Sequence, residues 1–250
     1  VDMAGRLGRC CAQSGQFKQA LGYLQQVEPE YRTRDIRFQT GLTELSLGQL
    51  DAAEKELSEL IEDDDQYASA YPALATALTK QHKYQQALKV AQEGLAVDQY
   101  NEQLYAQAAA IVSHLGNAKL MKKYLTKAHE LDPDNLTITL QYSNFLLHQH
   151  DDKENIALLA PLTEEDEVDP QVYWNLARSY QRTEDFAQAG KDYQAAAPAY
   201  ADNPTFLKEL VGYYQETGQR DHLLPTLRHY LELEPTDAEM QDLLAEYEEY

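Results

Sequence analysis

Apolar residues follow one another along this chain in helical steps. Between residues 74 and 95 the apolar positions are separated by three, four or seven residues, as on one face of an α-helix. Turn-forming pairs such as Ser14-Gly15, Leu47-Gly48, Gly116-Asn117 and Thr217-Gly218 separate these amphipathic stretches. Pro133, Pro170, Pro204 and Pro235 stand where new stretches begin, and proline starts a helix well but breaks one internally. The pattern predicts short helices joined by tight turns.

The helical pattern repeats with a fixed period. A small or apolar anchor recurs at intervals of 33 residues once and then 34 residues five times. The anchors are Ala20, Ala53, Ala87, Met121, Asn155, Ala189 and Leu223. Positions thirteen and twelve residues before each anchor, and four and seven after it, keep the same spacing and are mostly small or apolar. A period of this length indicates an array of stacked structural repeats.

These positions resemble those of the tetratricopeptide repeat (TPR) family. The resemblance is strongest in the sixth repeat and covers nearly the whole chain. The matching residues there are Tyr173, Trp174, Leu176, Ala177, Tyr180, Phe186, Ala189, Tyr193, Ala196 and Pro204. The resemblance implies an all-α, right-handed α-solenoid of about seven helix-turn-helix repeats plus a C-terminal capping helix. We expect repeats at residues 1–33, 34–67, 68–101, 102–135, 136–169, 170–203 and 204–237, followed by a helix at 238–250, all in a single array.

Two places depart from a regular array. In the fifth repeat, Asn155 stands where a small residue belongs, and we expect Pro161 to kink or shorten the second helix. In the C-terminal segment we expect Leu243, Leu244 and Ala245 to pack on repeat seven, either as a cap or as the start of another repeat. Val1 is not a start methionine and falls at the first position of a repeat, so we expect a fragment of a longer TPR protein.

Charge and cysteine content narrow the function classes. The chain of 250 residues has a net charge of −21, which disfavours binding to nucleic acid or to an anionic membrane surface. No apolar run is long enough to span a membrane. Only Cys10 and Cys11 are present, and two adjacent cysteines do not form a disulfide framework, so we predict a reducing, cytoplasmic location.

The family resemblance implies a concave groove lined by six positions of each first helix. Carried onto this sequence, these positions hold six cations and four anions, a net charge of +2 within an acidic chain. The cations are Arg6, Arg9, Lys80, Arg178, Arg182 and Lys208, and the anions are Asp2, Asp35, Glu209 and Glu216. This segregation indicates a ligand surface, or else reflects neighbouring helix faces that avoid like charges.

The richest cluster of groove positions lies in repeats five to seven. The amides of Asn144 and Asn175 are able to bind a peptide backbone, since each both donates and accepts. Arg178 and Arg182 are one turn apart and are predicted to share a carboxylate, with side chains pointing away from the repeat interfaces. Trp174 also suits core packing in this family, but Tyr173 fits the core position better, which leaves Trp174 for the groove. The remaining candidate binding residues are Lys208, Arg6, Arg9 and Phe38.

One subclass of the family captures acidic chaperone tails with a carboxylate clamp. Asn144 and Asn175 match two clamp positions, but Leu140 replaces the first lysine, and Thr205 and Glu209 replace the last two cations. The complete clamp is absent from every triplet of repeats. Capture of such a tail is therefore not expected.

Signals for catalysis or metal binding are weak. The sequence has no Gly-rich phosphate loop, no nucleophile elbow and no helix with histidines at i, i+4. His148 and His150 lie near Asp151 and Asp152 in one turn, but their spacing is not a recognised ligand frame. We therefore predict no cofactor, no stoichiometric metal and no enzyme activity.

The sequence thus favours a non-catalytic scaffold that holds a protein or peptide partner in its groove. The net positive charge of the groove predicts a partner segment with carboxylates beside an apolar anchor. Two alternatives stay open. One is a structural array that forms homo-oligomers through its open ends, and the other is a metal-dependent activity at His148 and His150.

Overall fold

The described part of the chain is built from short α-helices. The computed structural model describes residues 3–164 and 167–248, and within these ranges it contains fifteen α-helices and no β-strand. The helices are α1 (Met3–Gln13), α2 (Phe17–Gln25), α3 (Arg34–Ser46), α4 (Leu50–Asp63), α5 (Ala70–Lys80), α6 (Tyr84–Val97), α7 (Glu102–Ser113), α8 (Ala118–Leu131), α9 (Leu136–Gln149), α10 (Asp152–Leu159), α11 (Pro170–Arg182), α12 (Phe186–Ala196), α13 (Pro204–Glu216), α14 (Arg220–Leu233) and α15 (Ala238–Glu248). The predicted all-α fold with two helices per repeat is confirmed.

The helix starts follow the predicted repeat boundaries closely. Helices α3, α7, α9, α11, α13 and α15 begin at residues 34, 102, 136, 170, 204 and 238. Side-chain caps set several of these starts, because an Asn, Asp or Thr oxygen accepts a bond from a free backbone N–H of the first turn. The capping residues are Thr33, Asn101, Asn117, Asp169, Asp185 and Asn203. Pro170 and Pro204 occupy the first turns of α11 and α13, where a missing N–H costs nothing.

The chain forms two compact units, residues 1–138 and 139–250. In the first unit, α1 packs on α2, α3 on α4, α5 on α6 and α7 on α8, and α2, α4 and α6 each contact the helix that follows. In the second unit, α11 packs on α12 and α13 on α14, α10 contacts α11, and α14 contacts α15. Both units are therefore layers of antiparallel helix pairs.

Small residues set the distance between paired helices. The anchors Ala20, Ala53, Ala87 and Ala189 are fully buried. On the facing helix of the first pair, a Cβ added to Gly8 would lie 2.7 Å from Leu24 Cγ. Gly41 is in the same relation to Leu57, also at 2.7 Å. No real Cβ tolerates such distances, so glycine is required where these helices meet.

Both irregular places behave largely as their sequences predict. Helix α10 ends at Leu159, and a 3-10 segment, Ala160–Glu164, contains Pro161, so the expected shortening is confirmed. In α15, Leu243, Leu244 and Tyr247 pack against the core formed by α13 and α14. The expectation for Ala245 is wrong, because this residue is exposed and Tyr247 takes the third contact.

Candidate functional site

Groove positions of three successive first helices meet at one pocket in the second unit. The pocket has a volume of about 650 Å³. Its lining residues are Asn144, Leu147 and His148 from α9, Arg178, Gln181 and Arg182 from α11, Tyr193 from α12, and Glu209, Gly212 and Glu216 from α13. Nine of these ten residues hold positions that the family resemblance assigned to the groove. The first helices therefore bring the expected positions together, although the side chains there differ in their interactions from the prediction.

Arg178 is held by an acid of the next repeat. Its Nε and Nη2 donate to the two carboxylate oxygens of Glu209, both at 2.8 Å. The guanidinium carbon also lies 4.2 Å from the centre of the Trp174 ring. A bidentate pair of this kind is strong and directional. Arg178 therefore links α11 to α13, and the expectation that it points away from the repeat interface is wrong.

Arg182 is likewise engaged, but with the preceding repeat. Its Nη2 lies 2.7 Å from Asp152 Oδ1, and its Nη1 donates to the carbonyl oxygen of Leu147 at 3.0 Å. The same Nη1 is 3.1 Å from His150 Nδ1. Arg178 and Arg182 therefore have separate internal acids, and the expectation of two free cations sharing a carboxylate is wrong.

Trp174 is a core residue. Only 6% of its surface is exposed, and its ring packs 4.6 Å from that of Tyr200 and 5.3 Å from that of Phe206. The indole Nε1–H donates to Glu209 Oε2 at 2.7 Å. Tyr173 beside it is only half-buried. The assignment of Trp174 to the open groove is therefore wrong, because the aromatic cluster of repeats six and seven takes up its face.

The two asparagines of the predicted cluster differ in accessibility. Asn175 is fully buried, and its Nδ2 donates to Ser143 Oγ at 2.8 Å and to Asn144 Oδ1 at 3.1 Å. Its Oδ1 accepts from Gln171 Nε2 at 2.9 Å. Asn175 is therefore not free to bind a peptide backbone, and that expectation is wrong. Asn144 is exposed and lines the pocket, so it stays a candidate.

A buried polar network lies beneath the pocket, and it escaped the sequence reasoning. Asn155 is fully buried, and its Nδ2 donates to Ser179 Oγ at 2.9 Å. Ser179 donates in turn to Asp152 Oδ1, at 3.0 Å, which also receives Arg182. Asn155 Oδ1 lacks a hydrogen-bond partner among the described residues. The available signal was the run of polar residues Ser143, Asn155 and Ser179 at positions that are small or apolar in other repeats.

Tyr193 and Gln181 complete the polar wall. Burial raises the pKa of Tyr193, so its hydroxyl stays protonated and donates to Gln181 Oε1 at 2.8 Å. Gln181 Nε2 donates to Glu216 Oε2 at 2.7 Å. The formal charges in the lining are Arg178 and Arg182 against Glu209 and Glu216. The pocket is thus neutral overall, unlike the basic groove that the sequence count predicted.

The other candidate residues lie away from this pocket. Lys208 Nζ pairs with Asp237 at 2.9 Å and Glu239 at 3.1 Å, and these hydrogen bonds raise its pKa. In the first unit, Arg6 and Arg9 are exposed on α1. Phe38 is half-buried against Tyr67, with ring centres 5.4 Å apart. Asp2, one of the predicted groove anions, lies outside the described residues.

The histidine turn has a backbone explanation. His150 has a φ of 58°, in the left-handed region. Across residues 3–164 and 167–248, no group of three or more His, Cys, Asp or Glu side chains is placed to hold a metal ion. The same ranges contain no helix that is both long and apolar enough to cross a membrane.

Comparisons with known proteins agree with this architecture. The profile described as "YpiA-like, C-terminal tetratricopeptide repeats" matches residues 170–237, and a general tetratricopeptide repeat profile matches residues 102–135. The TPR repeat-containing protein YpiA of Bacillus subtilis (strain 168) is 30% identical over all 250 residues. The chain spans 59% of the length of that relative.

Solved structures share the fold at lower identity. The C-terminal part of a TPR repeat-containing protein from Cytophaga hutchinsonii superposes with a TM-score of 0.78 at 14% identity, covering 95% of this chain and 98% of that one. YrrB, described as a TPR protein with an unusual peptide-binding site, gives a TM-score of 0.62 at 20% identity, covering 77% of this chain and 96% of its own. With the helix pairs and the repeat period, these matches place the chain in the tetratricopeptide repeat family.

Proposed function

We propose that this chain is a non-catalytic protein-interaction scaffold whose second unit binds an extended peptide segment in the pocket between α9, α11 and α13. The observation that carries this proposal is the convergence of nine groove positions from three successive repeats on one pocket of about 650 Å³. Ligand sites in proteins are typically concave regions of this size with a few placed polar groups. The described relative and neighbours are TPR proteins, and this family supports interaction scaffolds generally.

The pocket geometry changes the expected chemistry of the partner. The cations that were to meet acidic side chains are already paired, Arg178 with Glu209 and Arg182 with Asp152. A partner carboxylate would have to displace an internal one, which costs about as much Coulomb attraction as it returns. The pocket therefore favours a segment with little net charge, and the acidic character of the partner loses its main support.

The test uses peptides selected from a phage-displayed random library on the wild-type protein. The recovered peptides are labelled with fluorescein and titrated against wild type, His148→Trp and the control Gln149→Trp. His148 and Gln149 are adjacent and exposed on α9, but only His148 lines the pocket. We expect His148→Trp to weaken binding by about tenfold or more and Gln149→Trp to leave it within about twofold. Equal binding to all three proteins, or failure to recover any peptide, would contradict the proposed function.

Self-association is a second candidate, supported by one observation. Met3 and Leu7 are large apolar residues on α1 with exposed fractions of 69% and 41%. Exposed apolar side chains one turn apart favour contact with another protein surface. Sedimentation velocity over a hundredfold range of protein concentration, roughly, tests this candidate, because a reversible dimer shifts its sedimentation coefficient with concentration.

A further inference from the structure

Gly212 differs from most other helical glycines of this protein. A Cβ added to Gly8, Gly41, Gly94 or Gly190 would lie within 2.4–2.7 Å of a neighbouring side-chain atom. These glycines are therefore explained by close packing. A Cβ added to Gly212 would meet nothing within 4 Å. Packing does not explain a glycine there, and glycine inside a helix is less stable than alanine.

The open space at Gly212 faces the pocket. Gly212 lies near the middle of α13 and belongs to the pocket lining. Gly22 of α2 is equally open, but it is exposed and does not line any of the pockets described for the chain between residues 3 and 248. An open helical glycine alone is thus no evidence of a site. Its position in the lining distinguishes Gly212 and makes Gly22 a matched control.

The chemistry around Gly212 is apolar below and neutral at the sides. Leu147 and Tyr193 line the same pocket and are 8% and 1% exposed, so they form its apolar base. At the sides, Arg178 is paired with Glu209, and Gln181 with Glu216. The charged groups therefore have internal partners, while the missing side chain at Gly212 leaves room with no group to fill it.

We propose that Gly212 forms a notch that accepts one apolar side chain of an extended peptide, and that this contact, rather than a salt bridge, determines which segments bind. This inference rests on the proposed function, since it assumes that the pocket is the peptide site. It adds the chemical class of the anchor and the residue that selects it. An apolar side chain gains free energy by leaving water without needing a charged counterpart.

The experiment titrates the same fluorescein-labelled library peptides against Gly212→Ala, Gly212→Leu and the control Gly22→Leu. Gly212→Leu fills the notch, so we expect affinity to fall by about tenfold or more, whereas Gly22→Leu stays within about twofold of wild type. Gly212→Ala occupies less of the notch and should lose less. Thermal unfolding checks the fold, and we expect no decrease in the midpoint for either variant at Gly212, because the new Cβ meets no atom within 4 Å.

A cycle of paired changes identifies the anchor. Each apolar residue of a bound peptide is replaced by alanine and measured on wild type and on Gly212→Leu. One replacement should weaken binding to wild type but have much less effect on Gly212→Leu, because both changes remove the same contact. Affinity should also vary by less than about threefold between low and high salt, since salt screens charge pairs and not apolar contacts.

The outcomes separate this inference from the proposed function. If His148→Trp loses binding while Gly212→Leu binds like wild type, the pocket is correct and the notch is wrong. A loss of about tenfold or more in high salt would also overturn the notch, because it indicates ionic recognition. If the peptides bind every variant equally, the proposed function fails and this inference with it.

Discussion

Glu44 is a buried carboxyl at a position that is apolar in the other repeats. The corresponding residues, spaced by 34, are Leu78, Val112, Leu146, Tyr180 and Tyr214. Only 7% of Glu44 is exposed, and its Oε2 has no hydrogen-bond partner among the described residues. Desolvation by burial, with a smaller contribution from the charge of Glu56, raises its pKa from 4.5 to about 7. The charged form is therefore disfavoured in the folded state.

This shift predicts that the protein loses stability as pH rises. Between about pH 4.5 and about pH 7 the folded state keeps a proton on Glu44 that the unfolded chain releases, so the free energy of unfolding falls across this window. We expect Glu44→Gln to remove that loss and to raise the free energy of unfolding at pH 8 by on the order of 2 kcal/mol. Urea unfolding at pH 5 and pH 8 measures it, with the exposed Glu62→Gln as control. An equal effect of the two substitutions at pH 8 would contradict this account.

Among the elements, the turn inside each repeat has one recurring conformation. The residue in the left-handed region is Gly15, Gly48, His82, Gly116, His150, Glu184 or Gly218, with φ between 58° and 75°. These positions are 33 or 34 residues apart, like the anchors. The four glycines adopt this conformation readily, while His82, His150 and Glu184 adopt it at a cost. The histidine at 150 is therefore a turn residue in phase with the glycines, and that phase could have been read from the sequence.

The cost at these turns gives a prediction about stability. Glu184 is exposed with a φ of 63°, so we expect Glu184→Gly to raise the free energy of unfolding by about 0.5–1 kcal/mol. The matched reverse change is Gly218→Ala, where φ is 68° and a Cβ would meet nothing within 4 Å. It should lower stability by about 1 kcal/mol through backbone strain alone. Chemical denaturation of both variants tests this pair, and the account is wrong if Glu184→Gly destabilises the protein.

The elements were predictable from the sequence to a greater degree than the site. Helix starts depend on local signals such as Pro170, Pro204 and the capping residue Asn203, so they follow from short stretches of chain. The groove positions followed from the repeat period. The state of each groove side chain did not, because Arg178 pairs with an acid 31 residues away and Trp174 packs on Tyr200 and Phe206. Counting charges by position treats such groups as free when neighbouring repeats have already paired them.

At the scale of the whole molecule, acidity and function are compatible without a basic groove. The chain has a net charge of −21, and the cations of the second unit's groove are paired with acids of adjacent helices. These pairs join successive repeats and fix the walls of the pocket. A binding surface of this kind gains affinity from shape and apolar contact, and its affinity should depend little on salt.

Trp174 offers a direct test of the central claim, that the pocket between α9, α11 and α13 is the peptide site. It is the only tryptophan of the chain, and its indole N–H donates to Glu209, which lines the pocket. The measurement is the single indole N–H resonance of the nitrogen-15-labelled protein during titration with a library-selected peptide. We predict that this resonance shifts and saturates at the concentration at which fluorescence anisotropy saturates. A peptide that saturates the protein while the indole resonance stays unmoved would contradict the claim.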